Sequence, residues 1–120
     1  RAIHHLEKGR VIILAGGSGL PYCTTDTSAV LRALELHCDI IMKATKVDGV
    51  YNKDPNKYED AIKYKNLGYM DALKERIEVM DTSAFALCMD NKLPIMVYDF
   101  FKKGNTKRAI LGEAIGTIVK

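Results

Sequence analysis

The sequence has little of what most readily announces a function. Its three cysteines, Cys23, Cys38 and Cys88, are odd in number and far apart, with no C-x-x-C and no Cys/His pair at zinc-ligand spacing. That argues against a disulfide scaffold and a zinc ribbon, and reads as reduced thiols in a cytosolic protein. Cys38 and Cys88 fall in apolar patterns and are expected in the core, whereas Cys23 falls in a loop. No apolar run approaches the roughly 20 residues of a membrane span, and no secretory pattern opens the sequence. Net charge is only +3, with Lys and Arg scattered and no basic run interleaved with aromatics, so a nucleic-acid surface is not indicated. There is no Walker A motif, which excludes a P-loop enzyme. Gly17-x-Gly19 lacks the third glycine and the distant acid of a dinucleotide fingerprint. Repeats, low-complexity tracts and linkers are absent too. The 120 residues, 48% hydrophobic and 28% charged, therefore read as one ordered domain with a real core.

What is present is concentrated between Ala15 and Asp26. The apolar run Val11-Ile12-Ile13-Leu14 leads into Gly16-Gly17-Ser18-Gly19-Leu20-Pro21-Tyr22-Cys23-Thr24-Thr25-Asp26, and a helical pattern leaves it. Three glycines in four positions permit a backbone that residues with a β-carbon resist. Thr24, Thr25 and Asp26 supply oxygens where a helix needs a cap. A strand, a Gly-rich loop and a helix N-terminus in succession hold anions well, because unpaired N–H groups and the helix dipole face the same point. The loop is thus expected to hold a phosphorylated substrate.

The remaining pattern reads as an α/β protein. Arg1 to Lys8 begins part-way through an amphipathic pattern, as the tail of a helix from a longer chain would, with His4 and His5 on its surface. Val11 to Ala15 has the continuous apolar character of a strand covered on both faces. Asp26 to Leu36 predicts a helix, Ile40 to Met42 a second strand, and together these make a βαβ unit in a parallel sheet. The long polar stretch Lys43 to Pro55 follows a strand's carboxyl end, where open α/β sheets bind ligands. A short extended piece is expected at Ile62–Tyr64. Tyr69 to Ile77 predicts a helix with Met70, Leu73 and Ile77 on one face. Asp81 and Thr82 cap a helix over Ser83 to Asn91 that buries Ala84, Leu87 and Cys88. Pro94 to Tyr98 predicts a strand, Gly104 onward a helix with Ala109, Ile110 and Leu111 inward, and Gly116 to Val119 a last strand. Lys43 and Lys46 have two readings, contact with a ligand's phosphates or ribose and plain solvation; solvation is the commoner fate of a lysine, so both are left out of the candidate site.

Three stretches carry a resemblance: Gly16-Gly17-Ser18-Gly19-Leu20-Pro21-Tyr22-Cys23-Thr24-Thr25-Asp26-Thr27; Lys43-Ala44-Thr45-Lys46-Val47-Asp48-Gly49-Val50-Tyr51 with Asp54-Pro55; and Val79-Met80-Asp81-Thr82-Ser83-Ala84. In this order and spacing the chain resembles the bacterial uridylate (UMP) kinases, which have the amino acid kinase fold. The resemblance implies a three-layer α/β/α architecture with a mainly parallel sheet. It covers the second half of those enzymes. The phosphate-binding lysine and Gly-Gly-Gly-Asn loops of their first half, and its UMP-gripping Arg and Asp, have no counterpart here, so the isolated piece is expected to be inactive.

By resemblance, Ser18, Gly19, Leu20, Pro21, Tyr22, Cys23, Thr24 and Thr25 bind UMP, and Thr45, Tyr51 and Asp54 bind ATP. Asp26 and Asp81 stand near the transferring phosphoryl group. ATP comes with Mg²⁺, GTP and UTP act as effectors, and the whole enzyme is a cytoplasmic homohexamer. Two departures stand out. Leu20 replaces an Asn that would hydrogen-bond the acceptor nucleotide, a loss of about 1–3 kcal/mol if its partner is left unmet. Tyr22-Cys23 replaces a Phe-Phe pair. Two other readings stay open: another kinase of this fold (aspartate, glutamate or carbamate kinase), and a non-catalytic nucleotide-binding or assembly module.

Overall fold

The computed structural model describes residues 1–120. A short helix α1 (Ala2–Glu7) precedes the Gly-rich loop, and α2 (Thr25–Glu35) follows it. Then come β1 (Ile41–Thr45), β2 (Asn66–Leu67), α3 (Tyr69–Lys74), α4 (Thr82–Asp90), β3 (Ile95–Asp99), α5 (Asn105–Ile110) and β4 (Thr117–Val119). The strands form one sheet in the order β1-β3-β4-β2. β1 runs parallel to β3 and β2 parallel to β4, while β3 and β4 are antiparallel, so the sheet is mixed and two of its three pairings are parallel.

Alternation along β3 sorts the layers. Ile95 and Val97 point to one face and join Val30 and Ala33 of α2, Ala72 of α3 and Ala84, Phe85 and Cys88 of α4 in the main core. Met96 and Tyr98 point to the other and meet Ala109 of α5. Helices thus cover both faces. α4 starts where expected, because the Asp81 side chain accepts the Ala84 N–H at 2.9 Å, satisfying one of the orphan donors of a helix N-terminus. Gly116 admits the chain to the sheet: a β-carbon there would lie 2.0 Å from the Val97 carbonyl oxygen, so only glycine lets β4 close against β3.

Four expectations fail. Val11 to Ala15 is not a strand: residues 11–23 make no backbone–backbone hydrogen bond and Val11 and Ile13 are 93% and 91% exposed. A strand needs a neighbour, and β1 pairs only with β3. The βαβ unit built on it is accordingly replaced by the parallel crossover from β1 through α3 and α4 to β3. Second, the helix expected over Tyr69 to Ile77 ends at Lys74, and its expected face is split: Met70 and Leu73 are exposed, Ile77 packs against the core beyond the helix, and Ala72 is the residue buried within it. Third, Ile110 and Leu111 are exposed, leaving Ala109 as the apolar anchor of α5. Helices of six residues have fewer than two turns, too few for spacing to define an inward face. Fourth, Cys38 is exposed beyond the end of α2, whereas Cys88 is buried and burial pushes its thiol up to about 11. No helix is long and apolar enough to cross a membrane.

Candidate active site

The Gly-rich loop has the backbone its composition demands. Gly16, Gly17 and Gly19 have φ of +89°, +64° and +68°, the left-handed region that glycine enters without penalty. Tyr22, at φ +60°, shares that region with its side chain fully exposed. Ser18 accepts the Leu20 N–H on its hydroxyl at 3.1 Å. Thr24 occupies the N-cap position of α2, but its side chain makes no cap hydrogen bond. Its hydroxyl donates to Asp81 instead.

That contact opens a network between elements distant in sequence. Thr27 also reaches Asp81, at 3.4 Å. Asp26, in the first turn of α2, accepts the Asp81 N–H at 3.3 Å and the Lys43 ammonium at 3.1 Å. Lys43 donates as well to the Val79 carbonyl at 3.0 Å. The start of α2, the middle of β1 and the entry to α4 are thus joined through two carboxylates and one ammonium. Asp81 is partly desolvated, which by itself raises its pKa. The hydrogen bonds from Thr24, the Ala84 amide and Thr27, with the nearby Lys43 charge, outweigh this and hold the carboxyl below its ordinary range.

Beside Lys43 lies a cleft of about 440 Å³. One wall is the end of β1 and the stretch after it, with Thr45, Gly49, Val50, Tyr51 and Asp54; the other is Glu75 to Val79, between α3 and α4. The wall after β1 is held by buried Thr117 of β4, whose hydroxyl accepts the Val50 N–H at 2.9 Å and donates to the Tyr64 carbonyl. Thr45 is turned into local structure, its hydroxyl accepting the Val47 N–H at 3.0 Å. Asp54 accepts the Asn56 N–H at 2.9 Å.

The expected residues therefore fall into two groups. Thr45, Tyr51 and Asp54 share the cleft, and Asp26 and Asp81 meet at its Lys43 end. Thr24 is tied to them, while Thr25 lines a separate cavity of about 930 Å³ with Gly16 and Gly17. That cavity is mostly apolar, lined by Ile12, Ile13, Leu14 and the flank of α2. Ser18, Gly19, Leu20, Pro21, Tyr22 and Cys23 line neither the cleft nor this cavity. Sequence reasoning left Lys43 out, although the signal was there. In β1 the residues Ile41, Lys43 and Thr45 share one face, and Lys43 is in register with core residue Val97. A lysine at an inward strand position needs a partner, because burying an unpaired ammonium is costly.

With this geometry in place, the comparisons with known proteins are consistent across levels. Three solved structures resemble this chain over nearly its whole length. UMP kinase from Bacillus anthracis is 41% identical with a TM-score of 0.94, covering 99% of this chain and 49% of its own. UMP kinase from Ureaplasma parvum is 35% identical with a TM-score of 0.90, covering 99% of this chain and 52% of its own. Uridylate kinase from Archaeoglobus fulgidus is 30% identical with a TM-score of 0.77, covering 98% and 56%. The chain spans about half the length of the structures it matches. The sequence also matches the amino acid kinase family over residues 1–99, a span that takes in the glycine loop, the acid–lysine network and the cleft after β1, and the chain belongs to that family.

Proposed function

We propose that this chain is the nucleotide-binding half of a UMP kinase, serving transfer of the γ-phosphoryl of ATP to UMP to give UDP in pyrimidine nucleotide synthesis. The observation that carries this is the Asp26–Lys43 pair, 3.1 Å apart, at the meeting of the loop-borne helix and the cleft. Two polyanions must approach for phosphoryl transfer, and the protein's part is positioning and charge neutralisation. Thr45, Tyr51 and Asp54 hold the adenosine side of ATP in the cleft. Lys43 directs its ammonium toward the phosphates, oriented by Asp26. Asp81 fixes Asp26 through its own N–H and ties Thr24, so the loop's end and the cleft keep one spacing. The acceptor is an ionised phosphate oxygen, so neither carboxylate needs to take a proton. Residues Ser18 to Thr25 receive UMP, and their exposure fits weak UMP binding by this chain alone.

Mg²⁺ accompanies ATP in this chemistry. The acids here do not fit a protein-held ion: Asp26 is engaged by Lys43 and the Asp81 N–H, Asp81 by Thr24 and Ala84, and no three His, Cys, Asp or Glu side chains converge. Cytoplasmic location, hexamer assembly and control by GTP and UTP are part of the same proposal for the full-length enzyme. Thermal shift and calorimetry with ATP, UMP, GTP and UTP test the reading. ATP is expected to stabilise the chain and UMP to do so weakly or not at all, with little or no UDP formed by this chain alone. Absence of any ATP effect at millimolar concentration would refute it.

A further inference from the structure

Tyr51 is the aromatic residue of the cleft, and its side-chain hydrogen bond runs to a residue outside it. Its hydroxyl donates to Asp48 Oδ1 at 2.8 Å. The other oxygen of that carboxylate, Oδ2, faces the Lys63 ammonium at 3.4 Å. Neither Asp48 nor Lys63 lines the cleft. Behind them, Tyr51 and Lys63 form an antiparallel bridge, flanked by Asn52 N–H to the Ile62 carbonyl at 3.1 Å and Tyr64 N–H to the Val50 carbonyl at 2.8 Å. Gly49 gives the Lys63 stem its path: a β-carbon there would lie 3.2 Å from Lys63 Cε and 2.7 Å from Thr117 Oγ1.

We propose that Asp48 is a positioning residue of the nucleotide site, holding the Tyr51 ring against the cleft through its hydroxyl and keeping the Lys63 ammonium outside. This rests on the proposed function for its ligand, ATP, but not for its contact. The backbone bridge fixes the Cα of Tyr51, leaving the side-chain torsions free. The Asp48 bond removes that freedom before the nucleotide arrives, and preorganisation of this kind lowers the ordering cost of binding. It also draws Lys63 into an ion pair away from the cleft, whose own cationic lining is Lys43, Lys53 and Arg76. The Tyr51 hydroxyl is held above its ordinary range chiefly by the hydrogen bond to Asp48, which agrees with this geometry.

The test uses two readouts on the 120-residue chain. The first needs no ligand. With ¹³C-labelled tyrosine, the Tyr51 ring is titrated by NMR in the wild type and in Asp48→Ala; its midpoint is expected to fall toward the ordinary 10.0 in the variant. The second is the ATP Kd by calorimetry in Asp48→Ala, Asp48→Asn, Tyr51→Phe and the double variant Asp48→Ala/Tyr51→Phe. Asp48→Ala and Tyr51→Phe are each expected to weaken ATP by roughly five- to tenfold, and the double variant by no more than either alone, as for two groups acting through one contact. Asp48→Asn keeps an oxygen acceptor for the hydroxyl and is expected to stay within about twofold of wild type. Melting temperatures measured in parallel separate positioning from unfolding. An unchanged Tyr51 titration in Asp48→Ala, or losses that add in the double variant, would overturn the inference. Wild-type protein that binds no ATP would overturn the nucleotide reading, and the titration alone would then decide whether Asp48 holds Tyr51.

Discussion

Replacing Lys43 by Met separates what holds the fold from what would hold a phosphate. The thioether side chain keeps most of the lysine stem, so core packing beside Val97 is largely preserved. Two interactions vanish: the ion pair to Asp26 at 3.1 Å and the hydrogen bond to the Val79 carbonyl at 3.0 Å. Hydrogen bonds to charged groups contribute about 1.5–3 kcal/mol when well shielded. Here the lysine and aspartate side chains are 30% and 27% exposed, so solvent screening reduces the net loss to about 1 kcal/mol. Asp26 is not orphaned, because the Asp81 N–H still reaches it at 3.3 Å. A loss of that size lowers the melting temperature of a domain this long by roughly 3–6 °C. If the ammonium also meets a triphosphate, the ATP Kd rises at least about tenfold, since tenfold corresponds to only about 1.4 kcal/mol. Differential scanning fluorimetry and calorimetry on the same samples give both quantities. A fall in melting temperature with the ATP Kd unchanged within twofold would refute the phosphate role and leave Lys43 a structural strut.

Three further outcomes follow from the geometry. Gly116→Ala forces a β-carbon to within 2.0 Å of the Val97 carbonyl oxygen, so β4 must move, and urea denaturation should show at least about 3 kcal/mol lost or no soluble protein; near-wild-type stability would disprove the close approach. At pH 8, Ellman's reagent should modify Cys23 and Cys38 rapidly and Cys88 only on unfolding, because burial leaves Cys88 almost no thiolate; three equally fast thiols would contradict it. The folded pKa of Asp81 is depressed, so its contribution to stability is present above the unfolded value of 3.8 and is lost as pH falls through the folded one. Urea midpoints measured from pH 6 down to pH 3 should therefore drop less steeply in Asp81→Asn than in the wild type, and parallel curves would refute the assignment.

How far the sequence foretold the molecule depended on whether a signal was local. The loop glycines announced their left-handed backbone because only glycine enters it freely, and all three are there. The Asp81 cap and the strands at Ile95 and Thr117 were legible for the same reason. Val11 to Ala15 was misread because an apolar β-branched run reports a preference for cover, not the presence of a partner strand. The antiparallel pairing of β3 with β4 depends on contacts between separated segments, which no periodicity encodes. Of the candidate site, Thr45, Tyr51 and Asp54, which the resemblance groups together, line one cleft. Ser18 to Cys23 stayed apart from them, with no partner to draw the loop inward. Lys43 was passed over because most lysines are solvated, a rule that fails when the strand's alternation turns the residue toward the core.

β4 lies between β3 and β2, and its Thr117 hydroxyl also clasps the Val50 amide and the Tyr64 carbonyl on the cleft wall. The wall thus waits on a residue 67 positions later in the chain. On the ribosome, the segment around Tyr51 would emerge long before its clasp, and β2 would emerge with no neighbour to pair with. A nascent chain stalled before Thr117 should therefore have a loose cleft whatever its other helices have achieved, and the proposed nucleotide capture would be a late event in its synthesis.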